Sequence, residues 1–475
     1  MRFVGLGARE MSADEGASWA AASAPTVSEV LRRQEMFNAG KLGLHDIMLH
    51  GWILAFGDGL VSMRAMSAAF GTVAIVLVYL VSRELLLMSL TDSVRAKNRS
   101  RDADSVAALS ALIFAVSTVP IEYSREARMY PVLLVAILAQ IWFALRAIRM
   151  RGLVNYAGAC VFTALALAAH FSAFCVMASE GLWLLYLLMF PRAASDVNGA
   201  TGGAQEVSRS TDVYRIADRG SVLRLAGSIA LGAAITAPMM LGAMKVSAAA
   251  VAAGAINWIR PPTVWDAITI FKIGAGYFIL PTIAAIGAVL GWRWAPSAVL
   301  FALIWMWVPV ALLLIISFTI TPMLVERYVL SSFVPLFILV AMAIWSIRAS
   351  PDRCAAIALV MLLVIAQDFR FYAHRHNDAQ WREAARVAAS SAGPADAIGV
   401  VPAYAENVVR YYLTPERRSL IVSDISSQSA NRPAVVIVFD QGLAPAREAA
   451  LSADYPVQIA HFDRLNVMRR RSQGG

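Results

Sequence analysis

Apolar residues in this chain fall in long unbroken runs, not in the short alternations of strands or the narrow stripes of soluble helices. Residues 69–81 and 299–320 contain no charged side chain at all, whereas the connectors between such runs are crowded with arginine. A helix needs about 20 apolar residues to cross the ~30 Å hydrocarbon core. Read on that length, the sequence predicts spans at 67–88, 105–123, 130–148, 156–170, 173–190, 223–244, 276–292, 298–320, 328–347 and 354–369.

After residue 370 the pattern changes. A helical period over 381–389 is followed by a β-branched run at 434–439, which reads as a buried strand. The fold class predicted is therefore an all-α polytopic membrane protein with a small soluble α/β domain at its C-terminal end. Residues 1–66 form a first outer loop, 67–370 the membrane domain of about ten spans, and 371–475 the soluble domain. Residues 195–220, rich in Gly, Ser, Asp and Thr, read as a flexible loop.

Composition sharpens this picture: the 475 residues are 59% apolar and only 15% charged, against about half and a quarter in soluble domains. The net charge of +9 comes largely from connectors, such as Arg95, Lys97, Arg99 and Arg101, or Arg146, Arg149 and Arg151. All the strongly basic connectors fall on one side, which marks it as cytoplasmic and points to membrane lipids, not nucleic acid, as the partner of that charge. The opposite side receives residues 1–66, 124–129, 245–274, 321–327 and the C-terminal domain. Residues 1–15 contain no signal-peptide apolar core, so a further helix is expected ahead of the first outer loop to carry it across. Cys160, Cys175 and Cys354 lie in apolar runs without metal-ligand spacing, which argues against a disulfide framework or a zinc site.

Candidate chemistry gathers in the outer segments. Asp14 and Glu15 form an acidic pair in which like-charge proximity can raise one pKa and make a general base, with a helix cap as the simpler alternative. In the tight turn Tyr123-Ser124-Arg125-Glu126-Ala127-Arg128-Met129-Tyr130, two arginines flanking a glutamate suit bidentate phosphate binding, or else anchor the turn at the interface. Trp258 and Arg260, beside Pro261-Pro262, offer a flat platform with an anion contact, or an aromatic-belt anchor. Glu326-Arg327-Tyr328 is a further phosphate contact or interfacial pair, and His45, Asp46 and His50 only loosely share a helix face. No Walker A loop, nicotinamide-type GxGxxG or GxSxG elbow is present.

In order and placement these features resemble the GT-C membrane glycosyltransferases, in particular bacterial relatives of dolichyl-phosphate-mannose protein mannosyltransferase and of the aminoarabinose and lipopolysaccharide-core sugar transferases. The stretches that carry the resemblance are GLGAREMSADEGAS, FGDGLVSMRAMSAAFGTVAIVLVYLVSREL, YSREARMYPVLLV and INWIRPPTV. KLGLHDIMLH stands where relatives have an HPPLYYLLLH-like segment, and it keeps the final histidine, His50. The resemblance implies a GT-C type helical bundle that performs inverting transfer from a polyprenyl-phosphate sugar to a lipid, glycan or protein acceptor. The reaction would take place on the periplasmic side of a bacterial inner membrane.

On that mapping Asp14, with Glu15 beside it, is the general base. Glu126 belongs to the second catalytic motif, while Arg125, Arg128, Tyr130, His50, Trp258, Arg260 and Arg327 contact substrate or phosphate. A divalent ion, Mg or Mn, would bridge Asp14 and Glu126, with no other cofactor. The competing reading is a non-catalytic envelope-assembly protein or a transporter of polyprenyl-linked glycans. Transporters place charge at midmembrane, whereas here the charges within spans, Glu180 apart, lie near span ends.

Overall fold

The computed structural model describes all residues except 38–40, 90–95, 191–217, 253–258, 275–277, 375–379, 424, 426–431, 441–442, 444 and 472–475. Trp258 and nearly all of the 195–220 loop lie outside the described residues.

Each apolar run forms a helix. In chain order these are α4 (Leu60–Ser89), α5 (Ala96–Val116), α6 (Thr118–Ser124), α7 (Tyr130–Met150), α8 (Leu153–Ala169), α9 (Ala173–Met189), α10 (Arg219–Ala252), α11 (Val264–Gly274), α12 (Ile279–Gly291), α13 (Pro296–Thr319), α14 (Phe333–Trp345) and α15 (Ser350–His374). The chain is an integral, multi-pass membrane protein. Among the described residues six helical runs are long and apolar enough to cross a bilayer: α4, α7, α10, α13, α15, and Glu326–Trp345, which joins a 3-10 turn to α14. The expected span at 105–123 is instead a pair, α5 and α6, bent by 60°. Pro120 explains the break, because its ring would clash with the carbonyl of Val116, where α5 ends. Of the other predicted spans, α8 and α9 have 17 residues each and α12 has 13, so α12 reaches only about 20 Å.

Burial follows composition. Every residue from Phe333 to Ile344 of α14 is buried, as expected of a helix that is apolar all round and central to a bundle. Gly287 lets α12 press onto it, since a Cβ there would lie 1.9 Å from the Leu339 carbonyl oxygen. α10 and α15, by contrast, leave most of their apolar surface open to lipid.

The segment expected as a first outer loop, residues 1–66, is folded. It contains α1 (Ala13–Ala22), α2 (Val27–Phe37) and α3 (Leu44–Phe56), and α4 begins at Leu60, ahead of the expected residue 67. The C-terminal region comprises α16 (Trp381–Ser391), β1 (Ile398–Val401), α17 (Glu406–Tyr412), α18 (Pro415–Arg418), β2 (Ile421–Val422), β3 (Val435–Phe439), α19 (Pro445–Asp454), β4 (Val457–Phe462) and β5 (Leu465–Arg469). The expected helix at 381–389 and buried strand at 434–439 correspond to α16 and β3. Sheet order is β2-β1-β3-β5-β4, with β1 parallel to both β2 and β3, and β5 antiparallel to β3 and β4.

The core of this region is not closed off from residues 1–66. Trp381, Ile398, Val408 and Ile437 share one apolar cluster with Met11, Trp19, Leu49 and Met63. The Tyr412 hydroxyl accepts the Met11 N–H at 2.8 Å, and the Glu10 carboxylate accepts the Arg382 N–H at 2.9 Å.

Candidate active site

Ser12 starts α1 by a reciprocal cap. Its hydroxyl accepts the Glu15 N–H at 3.2 Å and Glu15 Oε2 accepts the Ser12 N–H at 3.0 Å. Adjacent helical residues point about 100° apart, so the acidic pair divides.

Glu15 turns inward and is fully buried. Its carboxylate takes Arg64 Nε and Nη2 of α4, both at 2.8 Å, and the Ala127 N–H at 2.9 Å. Burial pushes its pKa up, but Arg64 and the Ser12 and Ala127 amides prevail and hold it below the ordinary carboxylate value. Arg64 in turn donates to the carbonyls of Leu6, Arg9 and Glu10 at 2.6–2.9 Å. Where the sequence suggested a catalytic carboxylate, the Glu15 oxygens are taken up in tying α1, α4 and the 125–129 turn together.

That tie brings Arg128 to Asp14. Arg128 Nη1 donates to the Asp14 carbonyl at 2.6 Å and to Ser18 Oγ at 2.9 Å, and its Nη2 lies 3.9 Å from Asp14 Oδ2. Arg327, entering from the 3-10 turn before α14, places Nη1 2.9 Å from the same Oδ2. The Asp14 side chain remains half-exposed. Its packed surroundings push its pKa up, but Arg128, Arg327 and Lys41 outweigh this and lower it to about 2. Lys41 is thus a member of the cluster that the sequence reading did not single out. Its pKa is driven well down, first by burial and then by the charge of Arg128, with Asp14 and Asp46 opposing.

Arg327 and Tyr328 also line a narrow cleft with Leu133, Leu134, Ile137 and Leu330. Tyr130 also lines this cleft and packs against Tyr123 and His170. Ile137 lies two helical turns beyond Tyr130, about 10 Å deeper along α7.

Other expected contacts go elsewhere. Glu126 turns to Arg9, 3.9 Å away, and burial together with the charges of Glu122 and Glu15 raises its pKa to about 8. Arg125 donates to the Val4 and Gly5 carbonyls at 2.9 and 3.1 Å and lies over Tyr372, so it pins the N-terminal segment and does not face the cleft. His50 is buried with Nδ1 2.8 Å from the Ala22 carbonyl, at the far end of α1 from Asp14, about 12 Å away along the helix. Arg260 is exposed and paired with Asp266 at 2.5 Å. The expected divalent ion does not fit well: two guanidiniums already face Asp14, and no group of three His, Cys, Asp or Glu among the described residues could hold a metal.

α1 is held in place from the C-terminal side at Gly16. A Cβ there would lie 2.7 Å from the Val408 nitrogen and 3.1 Å from the Asn407 carbonyl carbon, backbone atoms that cannot swing aside. Gly16→Ala is expected to destabilise the protein by about 1–3 kcal/mol, read as a lower melting temperature in detergent.

The described residues thus form a polytopic helical bundle with a carboxylate, Asp14, held between Arg128 and Arg327. No family model and no curated protein matches the chain, but solved structures do. The apo structure of the aminoarabinose transferase ArnT from Cupriavidus metallidurans is similar with a TM-score of 0.59 at 15% identity, over 98% of this chain and 95% of that one. The same protein bound to undecaprenyl phosphate gives 0.56 at 15% identity, over 99% and 96%. The apo oligosaccharyltransferase of Archaeoglobus fulgidus gives 0.53 at 11% identity, over 87% of this chain and 60% of that one. The fold is that of the GT-C glycosyltransferases.

Proposed function

We propose that this protein is a membrane glycosyltransferase that moves a sugar from a polyprenyl-phosphate donor to an acceptor, with inversion, on the periplasmic side of a bacterial inner membrane. The observation that carries this reading is Asp14 set between Arg128 and Arg327, the second of which also lines a narrow, largely apolar cleft. A polyprenyl phosphate is a compact anion on a long apolar chain, and a guanidinium pair, one member of which lines a leucine-bearing cleft, complements both parts. The fold neighbour ArnT, itself captured with undecaprenyl phosphate, is consistent with this.

Sidedness is supported by the opposite ends of α4 and α7, where Glu84 is paired with Arg146 at 3.2 Å and Arg149 at 2.8 Å. Such a pair of arginines suits a cytoplasmic face, and the twenty helical steps from Arg64 to Glu84 span about 30 Å.

In the proposed reaction the acceptor hydroxyl attacks the anomeric carbon while the bond from that carbon to the phosphate oxygen breaks. The hydroxyl proton passes to Asp14, and Arg128 and Arg327 hold the departing phosphate. Asp14 is a weak base while two guanidiniums face it. A donor phosphate that engages them would raise its proton affinity, so the base strengthens when the donor is bound. The arginines supply the positive charge, and no divalent ion is required.

The test is transfer from radiolabelled polyprenyl-phosphate hexoses to membrane acceptors, with and without a chelator, in wild type and Asp14→Asn. Chelator-resistant transfer that Asp14→Asn abolishes, with the fold intact, is expected. Equal transfer by both proteins would remove Asp14 from the chemistry, and loss on chelation would restore the metal.

A further inference from the structure

The sheet reverses its winding at β1. The chain leaves β1 through α17 to reach β2 on one side, then returns to form β3 on the other. In parallel α/β sheets the crevice outside the carboxyl ends of two such strands is where ligands bind. Here the segment after β1 carries Tyr404, in the turn Ala403–Ala405, and the residue that follows β3 is Asp440.

Three observations make this crevice more than a topological position. Tyr404 is 52% exposed yet propped from behind: Phe439 meets its ring edge-on at 6.5 Å, and Phe439 rests on buried Trp381 at 5.1 Å. The turn that bears Tyr404 packs directly against α1, the helix that carries Asp14 in its first turn. Tyr404 also lies within electrostatic reach of both Asp14 and Asp440, whose charges add to burial in pushing its phenol above the ordinary value. A half-exposed aromatic ring, backed by Phe439 next to Asp440, therefore stands on a turn packed against the helix of the proposed base.

We propose that Tyr404 and Asp440 form an acceptor subsite for a saccharide ring, which places the acceptor of the transfer among glycans or glycolipids. A pyranose offers an apolar face of C–H groups to an aromatic ring and hydroxyl donors to carboxylates, the two chemistries present here. A polypeptide acceptor would be held most simply along an open strand edge. The edges of this sheet are β2 and β4, whereas the crevice lies between the interior strands β1 and β3. This inference rests on the glycosyltransferase reading for its purpose, but it is tested by binding alone.

The experiment is saturation-transfer NMR on the full-length protein in nanodiscs, with methyl mannopyranoside, methyl glucopyranoside and a serine/threonine peptide as probes. Binding of undecaprenyl phosphate to the same samples is measured separately. At least one glycoside is expected to bind, to weaken about tenfold in Tyr404→Ala and Asp440→Asn, and to be retained in Tyr404→Phe. Undecaprenyl phosphate binding should be unchanged in all three variants. Glycoside binding that is absent from wild type, or indifferent to Tyr404→Ala, overturns the subsite, as does binding of the peptide alone. Failure of wild type to bind undecaprenyl phosphate instead counts against the donor reading and leaves the glycoside result standing.

Discussion

Arg327→Gln is expected to lower sugar transfer by about 10²–10³-fold, the loss typical when one preorganised donor to a developing anion is removed. Two signatures distinguish this from simple misfolding. Arg327 is one of the cations that hold Asp14 at about 2, so its removal moves the acidic limb of the rate profile to higher pH. Second, the affinity for undecaprenyl phosphate falls, because Arg327 also lines the narrow, largely apolar cleft. Arg260→Gln is the control. That arginine is exposed and paired with Asp266, and its loss should leave transfer unaffected. An Arg327→Gln enzyme of normal rate and pH profile would remove the arginine clamp from the mechanism.

Glu15→Gln is expected to destabilise the protein by about 3–5 kcal/mol, because it leaves the buried Arg64 guanidinium without its carboxylate. Thermal unfolding in detergent measures this, and the apolar double substitution Glu15→Leu with Arg64→Met should recover much of it. The pH dependence has a definite sign. The folded pKa of Glu15 lies below its ordinary value, so its contribution is complete above about 4.3, the unfolded glutamate value, and is lost as pH falls through the folded one. A Glu15→Gln protein as stable as wild type would show that the pair is dispensable.

The membrane part of the fold was legible because apolar runs of bilayer length have few alternative structures. What the runs could not reveal was the bend at Ser117, although Pro120 announces it, or the three helices within residues 1–66. Of these, α1 and α3 share an apolar cluster with the C-terminal region and α2 packs on both of them, a long-range effect without local signature.

The site was legible in part. Asp14, Arg128 and Arg327 were named from their outer positions, and they meet. Glu15 was open to two readings, and Ser12-x-x-Glu15 is the capping-box pattern, which the structure bears out. His50, Arg125 and Arg260 have residue types suited to phosphate, but tertiary contacts unreadable from spacing direct them elsewhere. Lys41 and Tyr404 carry no local signal, since each gains its meaning only from a segment distant in sequence.

The bond between Met11 and Tyr412 joins residues 401 positions apart, and this bears on the order in which the molecule is made. α1 is made early in synthesis but cannot complete its packing until α17, made after the last span, has joined it. At about 5–20 residues per second that interval is roughly 20 s or more. During it Trp19 of α1 and the preceding Met11 lack the apolar partners that later bury them. The final segment of the chain thus acts as the closing piece of the first, and activity should appear only after synthesis is nearly finished.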